Sequence, residues 1–189
     1  MSKESGVIIV SLKETEQNTK WFSKRERDLR RLVHNYVDQL RIIEDNPVGK
    51  LLHIPPPIEE QLIRSSYADA NRGFDNKLAS LVNKLVTTPG GTDAEKARIV
   101  RWACATTVSS LMVQETAFQI IGRKSLQPQI IDSIRLTARR VIVYGARKSA
   151  ELEGSSIEQE WLDQICRNIL ENSGLPLEKF VNDPPKVNL

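Results

Sequence analysis

Leu29, Leu32, Val33, Tyr36, Val37, Leu40 and Ile43 fall at i, i+3, i+4, i+7, i+8, i+11 and i+14, which is one continuous apolar face of an α-helix. The same periodicity returns further along the chain, and it limits the fold to helices burying helices. Ile63, Tyr67, Ala70, Phe74, Leu78, Leu81 and Leu85 keep a four-and-three spacing that predicts a helix from about Ile58 to Val86 with a helical neighbour. A third helix is expected from Thr92 to near Gly122. Its uncharged middle, Trp102 to Gln114, makes it the central element. That run is only 13 residues long and contains Thr106, Thr107, Ser109 and Ser110. A membrane span needs about 20 apolar residues, so no membrane span is expected.

A fourth helix follows Pro128 and continues to about Glu153, with Ile130, Ile131, Ile134, Ala138, Val141 and Ile142 facing inward. A fifth starts at Ser155-Ser156, carries Ile157, Trp161, Leu162, Ile165, Cys166, Ile169 and Leu170, and stops at Gly174. Local signals set the boundaries. Ser23-Lys-Arg-Glu26 and Thr92-Asp-Ala-Glu95 both have the form of a capping box, so helices are expected to open at Ser23 and at Thr92. Asn46-Pro47-Val48-Gly49 ends the first helix, and Ile54-Pro55-Pro56-Pro57 is a stiff extended lead into the second. Gly73, beside Phe74, reads equally as a tolerated glycine or as a bend or close crossing.

Val7 to Val10 is the one strand candidate, being short, β-branched and uncharged. A lone strand packs as an arm on the helical body or pairs with another chain. Past Gly174, Leu177, Phe180 and Val181 form a short amphipathic segment that docks at home or reaches a neighbouring subunit. The expected fold is therefore an all-α, single-domain bundle of about five main helices (20–174), with an extended N-terminal arm (1–19) and a C-terminal tail (175–189).

Hydrophobic residues at 40% and charged residues at 27% are the balance of a folded domain that needs no disulfide or metal to hold it. Cys104 and Cys166 each sit among apolar neighbours inside a helix and are read as core residues. With no leader-like segment at the N-terminus, a reducing, cytoplasmic setting is expected. The two histidines, His34 and His53, stand at no metal-ligand spacing and are read as surface or boundary residues. No nucleophile elbow, zinc-protease helix or calcium loop occurs. Pro89-Gly90-Gly91-Thr92 precedes a helix N-terminus that could hold a phosphate, although it lacks P-loop spacing. No enzyme activity, cofactor or metal is expected.

Charge distribution says more than the net +3. Six basic residues stand against two acidic ones from Lys20 to Arg31, and seven against one from Arg123 to Lys148. From Glu151 to Asp183 eight acidic residues stand against two basic ones. On helix 1, Lys20, Lys24, Arg27 and Arg31 are spaced 4, 3 and 4, which places them in one narrow band opposite the apolar face. Cations crowded into a first turn oppose the helix dipole, so an external anion is one reason for them. On helix 4, Arg135, Arg139 and Arg140, preceded by Arg123 and Lys124, offer planar forks suited to phosphate or carboxylate. Those nine residues are the candidate nucleic-acid-binding set.

Contacts of that kind would be to backbone and carry no sequence information. An aromatic content of 5% argues against a stacking platform. The acidic last third could instead meet the basic faces, within one molecule or head to tail between copies. The stretch Trp21 to Glu26, with Ile54-Pro55 and the following helix to Leu85, resembles helical bacterial proteins that assist large-subunit ribosome assembly. It covers less than half of the chain, Asn71 to Leu78 replace that family's arginine- and glutamine-rich core, and no family assignment follows. The expected function is a non-enzymatic, self-associating protein that binds an anionic polymer, RNA, as a viral or phage nucleic-acid-associated protein would. The alternative is an adaptor whose basic faces meet acidic protein surfaces.

Overall fold

The computed structural model describes residues 4–45, 52–87, 91–121 and 127–171, with side chains in the first helix described from Lys20 onward. It is all-α. The helices are α1 (Glu4–Asp45), α2 (Pro56–Val86), α3 (Asp93–Ile121), α4 (Gln127–Leu152) and α5 (Gln159–Glu171). The segment 172–189, which holds the expected amphipathic tail, lies outside the described residues, as does Arg123-Lys124.

Two expectations at the N-terminus are corrected. Val7 to Val10 are helical, and Ser23 is an interior residue of α1 rather than its cap. The reason is cooperative. No glycine or proline interrupts the chain between Gly6 and Pro47, so a helix nucleated on the packed stretch extends residue by residue, and each β-branched side chain costs it only a few tenths of a kcal/mol. A solitary strand would leave its backbone unpaired. Glu26 turns away from any capping role and pairs with Arg30 one turn on at 2.5 Å.

The second capping box is formed. The Thr92 amide donates to Glu95 Oε2 at 2.7 Å, and the Glu95 amide donates to Thr92 Oγ1 at 3.3 Å. The Thr92 amide first, and then the Thr92 hydroxyl donating to Glu95 Oε2 at 3.1 Å, hold the Glu95 carboxyl below its usual range. The same carboxylate occupies the N-terminus of α3 where a phosphate would sit. At the C-terminus of α4, Gly154 takes a φ of +70°, and the Ser155 amide reaches back to the Ala150 carbonyl at 2.9 Å. This left-handed stop needs a residue without a Cβ.

Packing follows the apolar stripes. Leu29, Val33, Tyr36, Val37 and Leu40 of α1, Phe74, Leu78 and Val82 of α2, and Ile134, Ala138, Val141 and Ile142 of α4 are buried in one core around α3. α3 packs on α4, α1 and α2, and its residues Ala103, Cys104 and Ala105 are buried in succession, as a central helix requires. α3 and α4 run antiparallel, as the pairs Arg101–Glu153 and Glu115–Arg135 show. At Gly145 they approach so closely that an added Cβ would meet Cys104 of α3. Gly73, by contrast, has open space around it, and a Cβ placed there would find nothing within 4 Å. The close crossing is on α4, and Gly73 is the tolerated glycine. Cys104 and Cys166 are buried free thiols, and both histidines are exposed.

Candidate nucleic-acid interface

The candidate cations divide into two groups with different surroundings. Arg135, Arg139 and Arg140 of α4 each reach a carboxylate on another helix. Arg135 places Nη2 2.6 Å and Nε 2.7 Å from Oε1 of Glu115 on α3. Glu115 is itself buried and also accepts from the Gln119 amide at 3.1 Å. That carboxylate raises the pKa of Arg135 further, chiefly through the hydrogen bond. Arg139 holds Asp163 of α5 at 2.8 Å.

Arg140 belongs to a chain of polar contacts that begins and ends on α2. Its Nε donates to Asp75 of α2 at 2.9 Å, and its Nη2 donates to Thr137 Oγ1 at 3.0 Å. The Thr137 hydroxyl lies 2.7 Å from the Tyr36 oxygen, and the Tyr36 hydroxyl donates to Asn71 Oδ1 at 2.6 Å. Asn71 and Asp75 are one turn apart on α2, so α1, α2 and α4 are tied in a single network. Burial pushes the Tyr36 phenol above its ordinary value. A hydrogen-bonded network that spans three helices rigidifies the junction between them.

Arg101 adds a fourth interhelical pair, 2.9 Å from Glu153 and almost wholly buried. Sequence reasoning missed both Arg101 and Glu115 as partners. One signal was present: in an antiparallel hairpin, charges at matching distances either side of the connecting loop face each other. Glu115 with Arg135 follows that rule closely, whereas Arg101 with Glu153 departs from it by several residues.

The α1 cations are placed differently. Lys20, Lys24, Arg27 and Arg31 are all exposed, on the side of α1 away from Leu29, Val33 and Tyr36. The eleven steps from Lys20 to Arg31, at 1.5 Å each, make the ridge about 17 Å long. Arg27 donates through Nε to the Ser23 carbonyl at 3.4 Å, a neutral acceptor that does not cancel its charge. Among the described residues, Lys24 and Arg31 form no ion pair. Neighbouring cations are neutralised locally, Arg25 by Asp28 at 3.4 Å and Arg30 by Glu26. Beside the ridge Arg25 lies 5.8 Å over the Trp21 ring. Trp21 meets Phe22 edge-on, and Phe22 meets Trp102 of α3 the same way, both at 5.0 Å. These rings fix the ridge's orientation on the bundle.

Among the described residues no group of three metal-ligating side chains occurs, and no helix is long and apolar enough to cross a membrane. No protein-family model, curated protein or solved structure matches the chain.

Proposed function

We propose that this chain is a non-enzymatic, self-associating helical protein that binds an anionic polymer, RNA, along the exposed ridge Lys20, Lys24, Arg27 and Arg31 of α1. The observation that carries this reading is the contrast between the two groups of arginines. Arg135, Arg139 and Arg140 of α4 are engaged with carboxylates of their own fold, whereas among the described residues Lys24, Arg27 and Arg31 of the α1 ridge form no ion pair. Like charges in a row repel one another, and among the described residues no ion pair between helices uses Lys24, Arg27 or Arg31. A polyanion laid along it releases condensed counterions, and that release drives binding without sequence preference.

Fluorescence anisotropy of a labelled RNA oligonucleotide, titrated with the protein across a salt series, tests the reading. Binding is expected to weaken steeply with salt, with a log–log slope of about −3 for four backbone contacts to a single strand. Reversal of the ridge in K24E/R27E/R31E is expected to abolish binding while leaving the fold intact. Absence of binding at low salt, or an unchanged affinity in the reversed variant, would sink the proposal. Capture of an acidic protein in place of RNA would assign the ridge to protein recognition.

A further inference from the structure

The outer face of α4 carries an apolar strip that the described helices leave open. Leu136, Val143 and Tyr144, at i, i+7 and i+8, floor a shallow groove of about 590 Å³, and Leu136 is 52% exposed. Helices stand on both sides of it. Arg140 on one rim pairs with Asp75 of α2, and Arg139 on the other pairs with Asp163 of α5. The other rim cations are engaged too, Arg147 with the side-chain carbonyl of Gln159 and Lys148 with Glu151. With these cations engaged and Leu136 open, the groove suits an apolar ligand rather than an anion.

The direction of α5 decides which ligand is at hand. Gln159 meets Arg147, whereas Asp163 and Cys166 both meet Arg139, so α5 runs antiparallel to α4 alongside the groove. Glu171, the last residue of α5, is five residues beyond Cys166, about 7.5 Å along the helix. That brings the chain out level with Ile134, two residues short of Leu136 and about 8–10 Å to the side, the usual spacing of packed helices.

The residues that follow match the groove in shape and reach. The chain continues into 172–189, outside the described residues, with Ser173-Gly174 as a helix stop and Pro176 suited to the first position of a new helix. Leu177, Phe180 and Val181 then fall at i, i+3 and i+4, one apolar edge of a helical turn about 6 Å long. The strip from Leu136 to Val143 is about 10 Å long on the same measure, so three side chains at that spacing fit within it. The connecting residues 172–176 span up to about 17 Å, enough to turn back from Glu171 to Leu136.

We infer that the C-terminal segment folds back on its own α4 and seats Leu177, Phe180 and Val181 in this groove, against Leu136, Val143 and Tyr144. The contact is that of a short amphipathic helix in a groove. So short a tether holds the segment there at a millimolar effective concentration, which a second copy in dilute solution does not match. The seated segment shields the α4 strip from other chains, and its release turns the strip into an apolar docking face. The inference is independent of the RNA reading, since neither groove nor segment includes a residue of the α1 ridge.

Hydrogen exchange read by mass spectrometry on the full chain tests it with three proteins: wild type, L136D in the groove and F180D in the segment. Leu136 is half exposed and Phe180 follows the five helices in the chain, so both variants are expected to keep the circular dichroism of the bundle. L136Q replaces L136D if that variant fails to fold. In wild type, peptides covering 177–182 should exchange about tenfold more slowly than an unstructured chain, or slower still, at low and at high micromolar concentration alike. Either substitution should return them to the unstructured rate. Trypsin cleavage after Lys179 should speed up by about tenfold in L136D, reporting on the segment through a change made only in the groove. Unprotected 177–182 in wild type, or protection that survives L136D, would overturn the inference. Protection that appears only at high concentration, with a matching rise in sedimentation coefficient, would place the segment on a second copy and overturn it as well.

Discussion

Gly145 of α4 and Cys104 of α3 are packed so closely that a Cβ on residue 145 would stand 2.7 Å from the Cβ of Cys104 and 2.8 Å from its Sγ. Both atoms belong to a short, fully buried side chain with no room to retreat. Gly145→Ala is therefore expected to force the α3–α4 pair apart and to destabilise the fold by about 2 kcal/mol, within the usual range for overpacking. Gly73→Ala meets nothing, and at that position the higher helix propensity of alanine should stabilise by about 0.5–1 kcal/mol. Urea melts of the two variants are expected to shift in opposite directions. Shifts of the same sign would contradict the packing.

How much of this was legible in the sequence differs between the core and the charges. The stripe Leu29 to Leu40 and its counterparts on α2 and α4 disclosed the bundle, because burial on a helix has a period that one dimension records. The start of α1 was not legible. Ser23-Lys-Arg-Glu26 carries capping residues at the right spacing, but a cap forms only where the preceding chain leaves the helix, and nothing before Ser23 makes it leave. The fate of Arg140 was hidden for another reason. Asp75 is 65 residues away and meets it only because α2 and α4 lie parallel, an arrangement no charge count contains. The α1 ridge was readable, since it requires only the geometry of one helix.

Removal of the Tyr36 hydroxyl breaks the chain of contacts through Thr137, Arg140, Asp75 and Asn71. Tyr36→Phe should cost about 1–2 kcal/mol, since Asn71 and Thr137 each lose a hydrogen-bond partner next to the core. Amide hydrogen exchange should rise on the facing parts of α1, α2 and α4 together. Exchange confined to α1 would show that the network does not couple the three helices.

The α3 cap predicts a pH dependence. Glu95 has a lowered folded pKa, so its contribution is present above the ordinary carboxylate range and is lost as pH falls through the folded value. Glu95→Gln keeps an acceptor for the Thr92 amide without the charge. It should flatten the acid limb of the stability curve, whereas Thr92→Ala should lower stability by about 1 kcal/mol at neutral pH. An acid limb identical in Glu95→Gln and wild type would contradict the assignment.

Burial pushes the Cys104 thiol up to about 12. Its thiolate is the reactive form, so at pH 8 alkylation should proceed only as fast as the protein opens. Mass spectrometry of iodoacetamide-treated native and urea-unfolded protein checks this. Rapid native labelling at Cys104 would place it outside the core.

The central claim is that the basic residues divide by role, α4 arginines holding helices together and α1 cations serving a partner. The most direct test takes two charge reversals, K24E/R27E/R31E on α1 and R135E on α4, and measures thermal stability and low-salt RNA affinity on each. The α1 variant should melt within a few degrees of wild type and lose RNA binding. R135E should lose about 2–3 kcal/mol of stability, because it leaves Glu115 buried against a second negative charge. A stable R135E protein, or an α1 variant that still binds RNA as wild type does, would contradict the division.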